Sequence, residues 1–294
     1  MFSIERTIRS ELKKAGIAPG TYELQMIRGK FGISVFRIKT ETGSFVGKYF
    51  GKEQLHGRKE IRHYAALNAI DVPTLHTIAQ TDRLLLMEDI EASGRYRLAT
   101  EEDMSDPQSA RLIAQWFRQL HSGGKQFDGL AGMDILENAE EALRTEDITN
   151  AMLQSNTREN PFWALLTNHA EDLKRSHSRL CSTITYNDFW WDNMAVAADA
   201  STAIMFDYNC VHRGYAYRDI RHILSVLSKK AGAAFLDAYG EFSKEEKAFE
   251  DVYFPLTRLI SAYRMETFPA WAANFSGMLH NGELMRCLEA FLRT

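Results

Sequence analysis

Tyr186-Asn187-Asp188-Phe189-Trp190-Trp191-Asp192-Asn193, followed by Phe206-Asp207-Tyr208, is the stretch from which the rest of the chain can be read. A carboxylate, Asp188, is followed five residues later by an amide, Asn193, and fourteen residues beyond that by a second carboxylate, Asp207. Two short strand-like runs, 183–186 and 204–208, bracket the segment, so the polar groups fall in loops at strand ends. Asp and Asn also favour turns and caps for purely structural reasons. Each is therefore weak alone, and it is the order and spacing that inform.

Upstream, residues 4–15 predict a short amphipathic helix with Ile4, Ile8 and Leu12 on one face, ended by Pro19-Gly20. Strands are expected over 22–27, 34–39 and 45–50. The first two are separated by Arg28-Gly29-Lys30-Phe31-Gly32-Ile33, and the third is entered through Glu41-Thr42-Gly43. Residues 57–70 switch to helical period, with Ile61, Tyr64, Ala65 and Leu67 approximately in phase and Pro73 closing the segment. Runs 74–79 and 83–88 read as a strand pair around Gln80-Thr81-Asp82. Residues 1–88 thus predict a small α+β lobe built on an antiparallel sheet, and residues 89–294 a larger, mainly helical lobe. In the latter, 107–121 is a good helix with Leu112, Trp116 and Leu120 in phase. Pro161 suits the first turn of another running towards His177. The chain reads helical again from Tyr217.

These parts match what phosphoryl transfer needs. One Asp accepts or orients the proton of the acceptor hydroxyl, while an Asn and a second Asp hold magnesium against nucleotide phosphates. Hard oxygen donors suit that ion, which keeps several waters and takes substrate phosphate as a further ligand. Lys48, in the third strand, is a cation for the α and β phosphates. Glu60, in the following helix, is a partner that would hold it; Glu53 is a rival, and a solvated strand lysine is the plain alternative. Backbone N–H groups of the turn from Gly29 through Gly32 to Ser34 are candidates to cover the phosphates, although a plain hairpin explains the turn nearly as well. Met87-Glu88-Asp89-Ile90, at the end of the fifth strand, falls where a hinge would receive an adenine edge, through Glu88 and Ile90.

On these motifs the chain resembles the aminoglycoside phosphotransferase and choline kinase superfamily, over a span from about Tyr22 to the helix after Asp219. That family's first motif reads His-Gly-Asp with Asn five residues after the Asp; here it is Tyr186-Asn187-Asp188 with Asn193. The second is Ile-Asp-Trp or similar, then Gly and an Asp-Leu-Ala helix start; here it is Phe206-Asp207-Tyr208, Gly214 and Asp219-Ile220-Arg221. The resemblance implies a two-lobed protein-kinase-like α+β fold, with nucleotide bound by residues 1–88 and catalysis and acceptor binding carried by 89–294. It implies a transferase that moves the γ-phosphate of ATP, with Mg2+, to a hydroxyl of a small molecule. By resemblance Asp188 is catalytic, Asn193 and Asp207 are metal ligands, and Lys48 and Glu60 are the phosphate-binding lysine and its partner. An aminoglycoside, an amino alcohol, a sugar or another hydroxyl metabolite all fit as acceptor. The competing reading is a nucleotide-binding pseudokinase, because Tyr186 and Asn187 stand where His and Gly are usual. A protein kinase is disfavoured by the short interval between Asp207 and Asp219.

Other residues have plainer readings. Asp192 is an exposed loop charge, Asp219 caps a helix or braces the catalytic loop, and His121 is structural. One of Trp190 and Trp191 packs inward, leaving the other for an acceptor. Tyr253, Phe254, Tyr263, Phe268, Trp271 and Phe275 are helix core or an aromatic wall for a cationic or ring-bearing acceptor. Asp237, Glu241, Glu250, Asp251 and Glu266 are a solvated face or a site for a polyamine-like acceptor.

Composition sets the frame. The chain has 294 residues, enough for about two domains, with 45% hydrophobic and 25% charged residues, which excludes disorder. Lys plus Arg is 35 against 39 for Asp plus Glu, a net charge of −4, so nothing draws the chain towards nucleic acid or an anionic membrane. Cys181, Cys210 and Cys287 form no CxxC pair, which argues against a zinc site or a disulfide framework. No apolar run nears the roughly 18 residues of a membrane span, and the N-terminus has no signal-peptide core. A cytoplasmic protein is expected.

Overall fold

The computed structural model describes residues 2–17, 22–30, 32–41, 43–51 and 55–294, the side chains of 2–4 and 55–58 excepted. The turn expected at Pro19-Gly20, the turn residues Phe31 and Thr42, the facing of Ile4 and the rival carboxylate Glu53 lie outside the described residues. In chain order the elements are α1 (Phe2–Lys14), β1 (Tyr22–Lys30), β2 (Ile33–Thr40), β3 (Gly43–Phe50), α2 (Leu55–Ala69), β4 (Thr77–Gln80), β5 (Leu84–Glu88), α3 (Ile90–Ser93), β6 (Tyr96–Leu98) and α4 (Pro107–Gly124). Then follow α5 (Ala139–Ala142), α6 (Thr145–Gln154), α7 (Pro161–Leu180), β7 (Thr183–Thr185), β8 (Met194–Ala197), β9 (Ala203–Met205) and β10 (His212–Gly214). The chain closes with α8 (Ala216–Val226), α9 (Lys229–Tyr239), α10 (Lys244–Tyr263), α11 (Ala273–His280) and α12 (Glu283–Phe291).

Contacts divide the chain into two compact units, 1–129 with 186–211 and 222–240, and 130–185 with 212–221 and 241–294. These do not part at residue 88; a division there is one of proposed roles and is taken up below.

In the first unit, five antiparallel strands are ordered β1-β2-β3-β5-β4. The α+β reading with an antiparallel N-terminal sheet holds. Alternation along the strands gives the sheet two different faces. Phe36 and Ile38 of β2, Tyr49 of β3, and Leu84 and Leu86 of β5 bury against Ile8 and Leu12 of α1. Gly47 makes room on this face, since a Cβ there would come within 2.5 Å of the Phe36 ring. The residues between them, Val35, Arg37, Val46 and Lys48, therefore point to the other face, where they line a cavity. Further along, α4 starts as its sequence demands: Pro107 occupies the first turn and the Asp106 side chain accepts from Ser109 N–H. Leu112, Trp116 and Leu120 are buried in phase. His121 is structural, its Nδ1 2.9 Å from the Tyr239 hydroxyl.

Strands β6, β8 and β9 form a second small sheet in this unit. Neither β6 nor β8 was expected, because at three and four residues they are too short to show a period. The runs expected at 74–79, 183–186 and 204–208 shorten to β4, β7 and β9, their ends given over to loops.

In the second unit, α7 opens on Pro161 with the Asn160 side chain accepting from Phe162 N–H. Here β10 pairs with β7, and α10 packs with α6, α7 and α12. His177 of α7 is buried in an aromatic cluster, 5.0 Å from the Tyr253 ring and 6.1–6.2 Å from those of Phe249 and Tyr215. Asp219 lies buried in the first turn of α8. Among the described residues no helix is long and apolar enough to cross a membrane.

Burial, reinforced by Arg218 and Arg213, pushes the His177 pKa down to about 4. An unfolded His takes its proton near 6.5, so between pH 6.5 and 4 the unfolded chain binds more protons and stability falls with pH. Urea denaturation should show the wild type losing about 2 kcal/mol more than His177→Phe between pH 7 and 5; equal losses would place the protonation elsewhere.

Candidate active site

Lys48 projects from β3 into the cavity, and its Nζ lies 2.7 Å from Glu60 Oε2 and 2.7 Å from Asp207 Oδ1. Three elements remote in sequence are thereby joined, and Glu60 is the observed partner in place of a solvated lysine. Burial works against the Lys48 charge, but the two carboxylates outweigh it and raise its pKa. Glu60 is almost fully buried, and burial pushes its pKa up to about 7 in spite of Lys48.

Helix α2 is fixed to the segment that presents Asp207. His63 Nδ1 lies 2.6 Å from the Tyr208 carbonyl oxygen, the Tyr64 ring meets that of Tyr208 edge-on at 4.5 Å, and the Tyr208 backbone N–H donates to Glu60. Asp207 itself has φ 61° and ψ 66°, a left-handed conformation that Asp tolerates better than most residues. Sequence reasoning missed His63, Tyr64 and Tyr208 in these roles. For Tyr208 the signal was its place directly after Asp207; for His63 and Tyr64 there was none.

The loop after β7 is held by the two residues that depart from the family's usual motif. Asn187 sits at φ 65°, where Gly is the usual choice, and its Nδ2 donates to the Cys210 carbonyl at 3.0 Å. Tyr186 is fully buried among Trp116, Phe117 and Tyr208, and its hydroxyl donates to the Phe206 carbonyl at 2.5 Å. The loop carrying Asp188 is thus tied to the strand end carrying Asp207. Asn193 Nδ2 donates to both the Asp188 backbone oxygen and Oδ2, each at 3.1 Å. Burial, and then the nearby charge of Asp207, raise the Asp188 pKa.

These residues fit a magnesium ion. With the Asn193 amide nitrogen turned to Asp188, its Oδ1 is the atom left for a hard cation. Asp207 adds carboxylate oxygen, and the repulsion between Asp188 and Asp207 is what a divalent charge would relieve. Among the described residues no cluster of three or more His, Cys, Asp or Glu could hold a metal; an ion that takes phosphate oxygens as further ligands does not require one.

The cavity has a volume of about 310 Å³. Lys48, Glu60 and Asp207 stand at its polar end, and Val35, Val46, Leu75, Met87, Leu98 and Phe206 line it. Glu88 and Ile90 also line it. The Glu88 carboxylate is engaged by His76 N–H and by Arg95, which leaves its backbone for any ligand, and Ile90 opens the single turn of α3. Arg37 bridges Asp89 and Glu91 at 2.6 Å each, and Ser44 donates to Asp89.

The expected phosphate cover is not brought to this cavity. Gly29 and Ser34 face each other as paired strand residues, and the ladder runs on to Lys30 and Ile33. Only Phe31 and Gly32 remain for the turn, with Gly32 at φ 74°. Ser34 points to the buried face with Phe36 and Ile38. Of the loop aromatics, Phe189 is the one that packs inward; Trp190 is 46% exposed and Trp191 half-buried. Asp192 is exposed, as expected, but also lines the cavity.

Residues 23–253 match the model of the phosphotransferase enzyme family, and the chain belongs to that family. It is similar to the choline kinase of Cryptosporidium parvum Iowa II (12% identity, TM-score 0.60, 98% of each chain covered). It is also similar to the choline kinase LicA from Streptococcus pneumoniae (14%, 0.56, 99% of this chain and 100% of that one), solved as well in complex with AMP. A third is an aminoglycoside phosphotransferase from Alicyclobacillus acidocaldarius (11%, 0.56, 97% and 94%). No curated protein matches the sequence significantly. The likeness establishes the kinase-like fold; the family makes the protein a phosphotransferase.

If Asn187 serves for its left-handed backbone and its bond to Cys210, Asn187→Ala should lower unfolding stability by about 1–2 kcal/mol and Asn187→Gly by less. Urea denaturation of both variants distinguishes this from a role confined to catalysis, which would leave the midpoints unchanged.

Proposed function

We propose that the protein is an ATP-dependent small-molecule kinase, moving the γ-phosphate to an acceptor hydroxyl. The observation that carries this is Lys48 held between Glu60 and Asp207 at the polar end of an apolar cavity, with Asp188 and Asn193 on the adjoining loop. The adenine would lie against Val35, Val46, Met87 and Leu98, with the backbone of Glu88 and Ile90 at its edge. Lys48 would position the phosphates. Asn193 and Asp207 would hold magnesium, whose charge offsets that of the phosphates when bound. Asp188, held by Asn193, would orient the hydroxyl and take its proton as the oxygen attacks in line. The rate gain would come chiefly from positioning and electrostatics.

In this reading residues 1–88 serve the nucleotide and 89–294 carry catalysis and the acceptor, in the cytoplasm. The pseudokinase alternative rested on Tyr186 and Asn187. Nothing in their geometry favours it, since both brace a loop that keeps Asp188, Asn193 and Asp207.

Asp188→Asn should leave nucleotide binding, measured by thermal shift with Mg-ATP, within about twofold while lowering transfer roughly 10²–10⁴-fold. Transfer at the original rate would remove Asp188 from the chemistry. Lys48→Ala should instead weaken nucleotide binding at least tenfold; undiminished binding would move the phosphates elsewhere.

A further inference from the structure

The acidic residues expected to receive a cationic acceptor are occupied or dispersed. In the second unit, Glu250 is 1% exposed and accepts from Arg221 Nε at 2.7 Å and from the Tyr215 hydroxyl. Asp251 is paired with Lys247, and Glu266 is exposed.

The same unit holds donors without acceptors. Arg213 Nε is buried and has no hydrogen-bond partner among the described residues. The Tyr253 hydroxyl, on a residue with 0% exposure, has none either. Arg218 is 13% exposed at its side chain, and its ion pair is a long one, 3.5 Å to Glu137. A buried donor left unpaired is costly, and for a guanidinium more so. Structural arginines are therefore normally saturated; donors held unpaired and dry await an acceptor.

The three groups surround one point, His177. The Tyr253 ring lies 5.0 Å from it, and Arg218 and Arg213 both act on its charge. His177 stays neutral, so the local positive charge is that of the arginines. Arg213 stands in β10, six residues after Asp207, and β10 pairs with β7, which ends three residues before Asp188.

We infer that Arg213, Arg218 and Tyr253 form an oxyanion site, and that the acceptor bears a carboxylate or phosphate group held there beside its reacting hydroxyl. Planar guanidinium groups suit such oxyanions through paired N–H bonds. The assignment of the anion to the acceptor rests on the kinase reading; the existence of the site does not.

The first test is anion binding. Inorganic phosphate is titrated at matched ionic strength into protein saturated with Mg-ADP, following Tm. The wild type should bind phosphate, and R213Q and R218Q should each weaken it at least tenfold, Y253F a few-fold, with R213K partly restored. The Mg-ADP shift should stay unchanged in R213Q and Y253F, which also serve if R218Q fails to fold. No phosphate response in the wild type, or an equal one in the variants, overturns the site. Absence of a Mg-ADP shift in the wild type overturns the nucleotide reading instead and leaves the comparison of variants valid.

The second test is acceptor-dependent ADP release with glycerate, glycerol 1-phosphate, glycerol and choline. Either acidic compound should exceed both others, naming carboxylate or phosphate ester as the anion, and R213Q should raise its KM at least tenfold with a smaller change in kcat. Preference for glycerol or choline with a KM indifferent to R213Q overturns the acceptor class.

Discussion

The ammonium of Lys48, buried and shared by Glu60 and Asp207, is the interaction on which the site's geometry depends. A charge taken out of water is tolerated only when paired, and removing one partner of such a pair costs about 3–5 kcal/mol. The carboxylates stand 12 and 159 residues away in sequence. Strand β3, helix α2 and the turn after β9 must therefore be placed correctly at once, or the lysine is left stranded. The contacts of His63, Tyr64 and the Tyr208 backbone explain how α2 meets that demand.

The sheet supplies the other half of the arrangement. Because side chains alternate, committing Phe36, Ile38 and Tyr49 to the core under α1 sends Val35, Val46 and Lys48 to the opposite side. One face becomes packing and the other a lined cavity, with no residue spent on both. The catalytic loop is held differently, by left-handed backbone at Asn187 and Asp207 and by the buried Tyr186 hydroxyl. These conformations are ones most residues resist, and the hydrogen bonds around them hold them in place.

The second unit shows how little a charge count says about a binding preference. Its acidic residues invite a cationic ligand on paper, yet Glu250 and Asp251 are already neutralised by neighbours. Arg213 and Arg218 are the groups with capacity left over. What matters for recognition is which charges remain unsatisfied after folding, and that is a property of packing.

The α+β class, the five-stranded start, the helix of α4 and the set Lys48, Glu60, Asp188, Asn193 and Asp207 were all legible in the sequence. Periodicity over eight or more residues, turn chemistry and motif spacing are local properties that one chain displays openly. The short strands β6, β8 and β10 were not legible, because three or four residues carry no period. The supposed phosphate cover was misread because the sequence does not say how far a ladder runs; pairing up to Lys30 and Ile33 took Gly29 and Ser34 out of the turn. Glu53 and Glu60 could not be ranked from spacing, and the choice of Glu60 fell to the docking of α2 on Tyr208. The sequence by itself determined which chemical groups the protein has and the elements that carry them. Only the tertiary structure decided which are paired and which remain available, because burial and hydrogen bonding depend on neighbours far away along the chain.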